Sequence, residues 1–402
     1  MNTTSLLRSA AAVSAALALL AGCGGGGDGG GEAASGSDRF SEAVAGCSVE
    51  TQKSFVRAYL DEVYLWYDEI PAVDPAQYST VPDYFNALLV RTPDATGQPK
   101  DRFSAILPNG RAQGVAESVV KRPPAAPFDA LKNHTAFVPV ATVVTSPGGR
   151  RVGYIQFNDH DIGAQDDLIT AFRNIQGQGV QDLVLDLRQN SGGYLYIALT
   201  AASMITGPAS QGQVFEQLRY NNKRDALSAS STLRFSRTVQ FAESQYPVGT
   251  ALPQLGLTRV FVLTSGTTCS ASESIINSLR GIDVQVIRVG STTCGKPYGF
   301  SQKTNCGYDL YPIEFQGTNA KGFGDYTAGF QPMCQITDTG ATPGGAGDEL
   351  LKGALFYADS NMCPTGTATG VQSKAAPLQS RSVPNRPSWT GRLLLPQQQP
   401  AR

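Results

Sequence analysis

The sequence predicts an α/β fold, a largely parallel sheet covered by helices and preceded by a small helical module. Three observations predict it. From residue 152 onward, apolar runs of strand length alternate with amphipathic stretches of helical period. Two of those runs end in small-residue turns that lead straight into a helix, Asp186-Leu-Arg-Gln-Asn-Ser-Gly-Gly193 and Thr268-Cys-Ser-Ala-Ser-Glu273. Earlier, residues 47–90 carry Phe55, Tyr59, Leu60, Val63, Tyr64 and Trp66-Tyr67 at mixed three-and-four spacing, continued by Tyr84-Phe85 and Leu88-Leu89. That spacing makes one helical face, read as core.

Taken in chain order, Arg8 precedes the apolar stretch 10–20, too short for a membrane span and of the length of a signal-peptide core. It ends in Leu20-Ala-Gly-Cys23, which resembles the lipobox of bacterial lipoproteins. The resemblance implies a signal over residues 1–22, acylation of Cys23 and, with Gly24 rather than Asp next, the periplasmic face of the outer membrane. Residues 23–38 are Gly, Ala, Ser and acid, a flexible tether. The helical module is placed at 39–104. Residues 105–151 read as a linker in which Pro123, Pro124 and Pro127 break any long element, with a short strand at 140–144.

The core is placed at 152–363. Strands are expected at 152–157, 183–187, 213–219, 233–241, 259–264 and 284–289, and a hairpin around 308–315. Helices are expected through Leu168, Ile169, Phe172 and Ile175, over 194–205, over 273–279 and over 350–357. Residues 364–402, rich in Pro, Gln and Ser, read as a disordered tail.

A formal net charge of −1, with basic residues scattered, gives no electrostatic case for nucleic acid. Setting Cys23 aside leaves Cys47, Cys269, Cys294, Cys306, Cys334 and Cys363, an even number in an exported chain, which favours disulfides. Cys294 and Cys306 bracket the expected hairpin and are the favoured pair. Cys269 could itself be a nucleophile beside Ser270, but an oxidising compartment favours a bridge. Zinc is disfavoured, because there is no C-x-x-C pair and the only histidines are His134 and His160.

The two turns carry the chemistry. A serine between a buried strand and a helix start sits where helix N–H groups converge, which suits a nucleophile whose attack creates an oxyanion. Paired glycines before a helix likewise leave backbone N–H groups facing a ligand. The spacing fits neither a P-loop nor a dinucleotide fingerprint. Lys296 follows the strand 284–289 and lies in apolar company, between that strand and Tyr298-Gly-Phe300. Burial of that kind favours the neutral amine that a base must be.

Tyr154-Ile155, Leu185-Asp-Leu-Arg188, Asn190-Ser-Gly-Gly193, Ser270-Ala-Ser-Glu273 and Gly290…Gly295-Lys296 occur in the order found in the C-terminal processing (tail-specific) proteases, relatives of the tricorn protease core. Tyr64-Leu-Trp-Tyr67 and Asp101-Arg-Phe-Ser104 resemble the N-terminal region of lipoprotein members. The resemblance implies a crotonase/ClpP-like ββα core and a serine–lysine dyad needing no cofactor, with polypeptides as substrate. Ser270 would be the nucleophile, with Ser272 as second choice. Lys296 would be the base, and the N–H groups of Ala271 and of Gly193 or Gly192 the oxyanion hole. The serine-to-lysine spacing is slightly longer than usual, with the extra length assigned to the Gly281–Val284 turn. The glutamine that orients the lysine in many members is replaced by Phe300, and Gln302 is the candidate substitute if the strand is regular. The span between Phe103 and Val152 is too short for the family's PDZ domain. A catalytically inactive peptide-binding lipoprotein and an esterase on the same superfold are the alternatives. A triad using His160 with Asp159 or Asp161 is disfavoured, His160 reading as part of a solvated acidic turn.

Overall fold

The computed structural model describes residues 46–108, 136–365, 368–369 and 393–394. The expected signal, the lipidation site Cys23, the tether and most of the tail lie outside these residues, as does His134.

The apolar runs form the centre of one sheet. Arg151–Gln156, Asp182–Asp186, Arg259–Thr264 and Gln285–Gly290 lie side by side and parallel. Cys334–Gln335 continues the parallel order beyond Gln285–Gly290, and Val140–Thr145 pairs antiparallel with Arg151–Gln156 on the other side. Alternate side chains serve opposite faces, as the pleat requires. Ile155, Leu183, Leu185, Val260 and Val262 pack under the helices Ala164–Gln176, Leu195–Ile205 and Ala271–Gly281. Tyr154, Val184, Phe261, Leu263 and Ile287 pack under Glu349–Ser360. Both faces are therefore buried, which is why these strands read as nearly unbroken apolar runs. The two catalytically suggestive turns leave neighbouring strands at their carboxyl ends, where sites in such sheets lie.

Three expectations change. The run 233–241 is a strand only over Thr232–Arg234, paired with Val214–Tyr220. Beyond it, side-chain acceptors interrupt the ladder: Phe235 N–H still donates to Gln213 O and Val239 N–H to Thr250 O, but Ser236 N–H donates to Ser203 Oγ and Thr238 N–H to Ser236 Oγ. The hairpin is also built differently. Tyr308–Tyr311 pairs with Lys303–Asn305 and with Ala105–Pro108. Pro312 then ends the strand, and Phe315–Thr318 joins Val214–Tyr220 in another sheet. Thus, among its described residues, the expected linker 105–151 contributes Ala105–Pro108 in addition to the expected strand at Val140–Thr145.

The third change is the cysteine pairing. Cys294 does not join Cys306; the bridges are Cys47–Cys306, Cys269–Cys294 and Cys334–Cys363. Cys306 sits at the hairpin tip facing the start of helix Val49–Val63, whereas Cys294 lies beside the serine turn, its N–H on Thr268 O. Cys269 and Cys294 meet because they follow neighbouring parallel strands, and Cys306 meets Cys47 because the hairpin tip reaches the start of the first helix.

Candidate active site

The serine turn is held by hydroxyls. Thr267 Oγ1 donates to Arg188 O at 2.7 Å and Thr268 Oγ1 to Leu187 O at 2.8 Å, tying it to the end of the neighbouring strand. Ser270 then opens the helix Ala271–Gly281 with φ +57° and ψ −115°. Those angles are near the first corner of a type II′ turn, a place that favours glycine. A serine held there is strained, by roughly 1–3 kcal/mol, and such outliers gather at functional sites. Ser270 is fully buried, and its Oγ has no hydrogen-bond partner. The same Oγ faces the Glu273 N–H in a capping-box arrangement, so the geometry of a helix cap stands beside that of a nucleophile. Ser272, by contrast, is committed, donating to Asn190 O at 3.1 Å.

The glycine turn lies against this serine. A Cβ on Gly192 would stand 2.7 Å from Cys269 O and 2.9 Å from both Ala271 N and Ser270 Cβ, so the close approach requires glycine there. Asn190 holds the two turns together. Its carbonyl accepts Cys269 N–H at 3.2 Å, its Nδ2 donates to Phe157 O, and its Oδ1 accepts Gly192 N–H at 3.0 Å.

His160 completes that support and corrects its expected setting, because it is fully buried rather than solvated. With Asn190 Oδ1 fixed as an acceptor, His160 Nδ1 must donate to it at 2.9 Å. Burial then holds the ring neutral, pushing its pKa down to about 3. The Nδ1 partner is thus an amide, and neither Asp159 nor Asp161 fills the orienting role of a triad.

The lysine turn is joined to the serine turn by Glu273. This carboxylate, fully buried, accepts Ser270 N–H at 2.9 Å, Gly295 N–H and Lys296 N–H both at 2.8 Å, and Thr293 Oγ1–H at 2.5 Å. Burial pushes its pKa up, against the lowering pull of those four donors. The Cys269–Cys294 bridge ties the same two turns covalently. Among the described residues, Cys269, Glu273 and Cys294 also gather as potential metal ligands, but the two sulfurs are bonded to each other and offer no thiolate.

Lys296 is fully buried, its Nζ 4.4 Å from the ring centre of Phe300 and 5.2 Å from that of Phe103. Gln302 is exposed, two residues beyond the buried Phe300. Tyr298–Gly299 ends as a strand before Lys303–Asn305 begins, so one regular strand does not carry Lys296 and Gln302 on a shared face.

The family model for Peptidase family S41 matches residues 151–305, and that for the Peptidase S41 N-terminal domain matches residues 51–105. The chain belongs to peptidase family S41. The S41 assignment covers both catalytically suggestive turns and the aromatic helical module. The chain is 29% identical over 161 residues to a carboxyl-terminal-processing protease of Picosynechococcus sp., a stretch spanning 40% of this chain and 33% of that relative. It also shares the fold of a Bacteroides fragilis protein assigned to the S41 proteases, with a TM-score of 0.59 at 19% identity over 77% of this chain and 97% of the other.

Sequence reasoning named Ser270, Ala271, Gly192, Gly193 and Lys296, but gave no role to Glu273, Asn190 or His160. Glu273 had a visible signal: Ser followed three residues later by Glu is the spacing of a capping box. Asn190 and His160 had none, because their partnership runs between strands.

Proposed function

We propose that this chain is a serine peptidase that cleaves exported polypeptides through Ser270 and Lys296. The observation that carries the reading is the Glu273 carboxylate, which accepts N–H groups from the serine turn and the lysine turn together. Ser270 Oγ attacks the scissile carbonyl carbon while the neutral Lys296 amine takes its proton. The carbonyl oxygen becomes an oxyanion in front of the positive end of the Ala271–Gly281 helix, received by Ala271 N–H and a glycine-turn N–H. Gly192 N–H is already given to Asn190 Oδ1, which leaves Gly193 as the candidate second donor. Collapse expels the amine with the proton returned by Lys296, and water releases the acyl group by the same route.

The test uses purified protein and fluorescently labelled casein. Ser270→Ala and Lys296→Ala should each lose activity by about a hundredfold or more; undiminished cleavage by Ser270→Ala would overturn the reading. A folded chain that binds peptide without cutting it would support the inactive alternative. For location, we propose a lipid anchor at Cys23 on the periplasmic face of the outer membrane. Cys23→Ser should move the protein from the membrane to the soluble fraction, and an unchanged distribution would contradict the anchor.

A further inference from the structure

We propose that Phe103, delivered by the N-terminal module, is a positioning residue that caps the Lys296 amine and keeps water from it. This deepens the reading of Lys296 as the base and rests on it.

The loop that carries Phe103 is fixed from several directions. Asp101 is fully buried; its Oδ1 accepts the N–H groups of Phe103 and Ser104, both at 2.9 Å, and its Oδ2 accepts Tyr64 O–H at 2.6 Å. Ser104 Oγ accepts Ile313 N–H at 2.9 Å, tying the loop to the core. Arg102 anchors the tip: Nη2 donates to Thr327 O at 3.0 Å and to Gly295 O at 3.4 Å, and Nη1 pairs with Asp94 at 2.9 Å. The guanidinium therefore grips the residue immediately before Lys296. Phe103 is left 7% exposed over the amine, backed by Tyr298 at 6.2 Å between ring centres, with Trp66 against Tyr298 at 5.0 Å.

Two effects of the ring oppose each other. An aromatic face attracts an ammonium by about 0.5–2 kcal/mol. Excluding water disfavours the ammonium more strongly, by as much as about 3–5 pH units for a fully buried group. The second effect is larger, so admitting water should hold the amine charged and unable to act as a base. Among the described residues, charged and titratable groups around this pocket include Arg102, Asp94 and Asp101 from the N-terminal module, and Glu273, Tyr298 and Asp325 from the core. Burial keeps Tyr298 pushed up to about 12, and therefore neutral over the working range. Substituting Phe103 removes none of these groups, but it takes a ring from beside two of them, the Arg102 guanidinium 4.7 Å from its centre and the Tyr298 ring at 6.2 Å, so Arg102→Gln in the parent is run as the control for their share of any shift.

The experiment follows the rate at which a fluorophosphonate labels Ser270 between mildly acidic and alkaline pH, in the full chain and in Phe103→Leu, Phe103→Val and Phe103→Ala. The acidic limb of the profile should move to higher pH as the side chain shrinks. For Phe103→Ala the shift should be about one unit or more, costing roughly tenfold at neutral pH and recovering in alkali. Phe103→Leu, which keeps an apolar cover, should retain the parent profile. A limb that stays in place in Phe103→Val and Phe103→Ala, whatever the plateau, would overturn the proposal, and Phe103→Val alone suffices if the alanine variant does not fold. Lys296→Ala is run alongside: labelling as fast as in the parent would mean that the base itself is misassigned. That outcome is distinct from a static limb in the Phe103 series.

Discussion

At Ser270 the backbone and the chemistry make opposite demands. The left-handed φ favours glycine, while the proposed reaction needs a hydroxyl. A serine that were only a cap would have no reason to bear this strain. Ser270→Gly should therefore unfold at a higher temperature than Ser270→Ala, by an amount equivalent to about 1 kcal/mol, with both inactive. Equal melting temperatures would show that the position is relaxed. Glu273 makes the complementary case, because an ionised carboxylate is acceptor-only and all four of its partners are donors. Glu273→Gln turns a donor toward donors, and should cost roughly 1–3 kcal/mol of stability together with most of the activity. A fully active, equally stable Glu273→Gln would remove the carboxylate from the account. Ser270 and Lys296 were named from the sequence because the turns that carry them stand among motifs in the order of the C-terminal processing proteases. The strain and the four-donor carboxylate were not, since both depend on where the chain returns.

At the scale of elements, the site depends on keeping two turns in register at the ends of adjacent parallel strands. The Cys269–Cys294 bridge closes a sequence separation of 25 residues around the serine helix. Replacing both cysteines with serine should lower stability by about 3 kcal/mol on the chain-entropy estimate and lower activity by more than the stability loss explains. Denaturant unfolding beside casein cleavage reads both, and unchanged activity would show that Glu273 alone holds the register. Behind the serine helix, Glu216 on Val214–Tyr220 is buried with one carboxyl oxygen unpaired, its other oxygen receiving Ser274 O–H at 3.3 Å. Burial pushes its pKa from 4.5 up to about 8. Between those values the folded chain holds a proton that the unfolded chain has released, so stability falls as pH rises through the window. Glu216→Gln should flatten that fall, up to about 5 kcal/mol at its alkaline end, and an unchanged pH dependence would contradict it. The central strands were readable because burial on both faces leaves unbroken apolar runs. The cysteine pairs and the 303–318 region were not, because their partners are the first helix, the serine turn and a distant strand.

Over the whole described molecule, the N-terminal module is part of the site's construction. The Cys47–Cys306 bridge fastens it to the core hairpin. Buried Glu314 accepts Arg224 Nη1 at 2.7 Å and Tyr59 O–H at 3.4 Å, so a helix of the module and the core share one carboxylate. The sequence showed two aromatic-rich segments near the start, but the role proposed for Phe103 rests on its ring reaching Lys296, a contact no periodicity encodes. The account stands on Ser270 being a nucleophile that only a neutral Lys296 can activate. Mapping fluorophosphonate adducts by mass spectrometry in the parent and in Lys296→Ala tests this most directly. The account predicts one adduct, on Ser270, formed at least about a hundredfold more slowly without the lysine. An adduct on another residue, or equal rates in the two proteins, would contradict it.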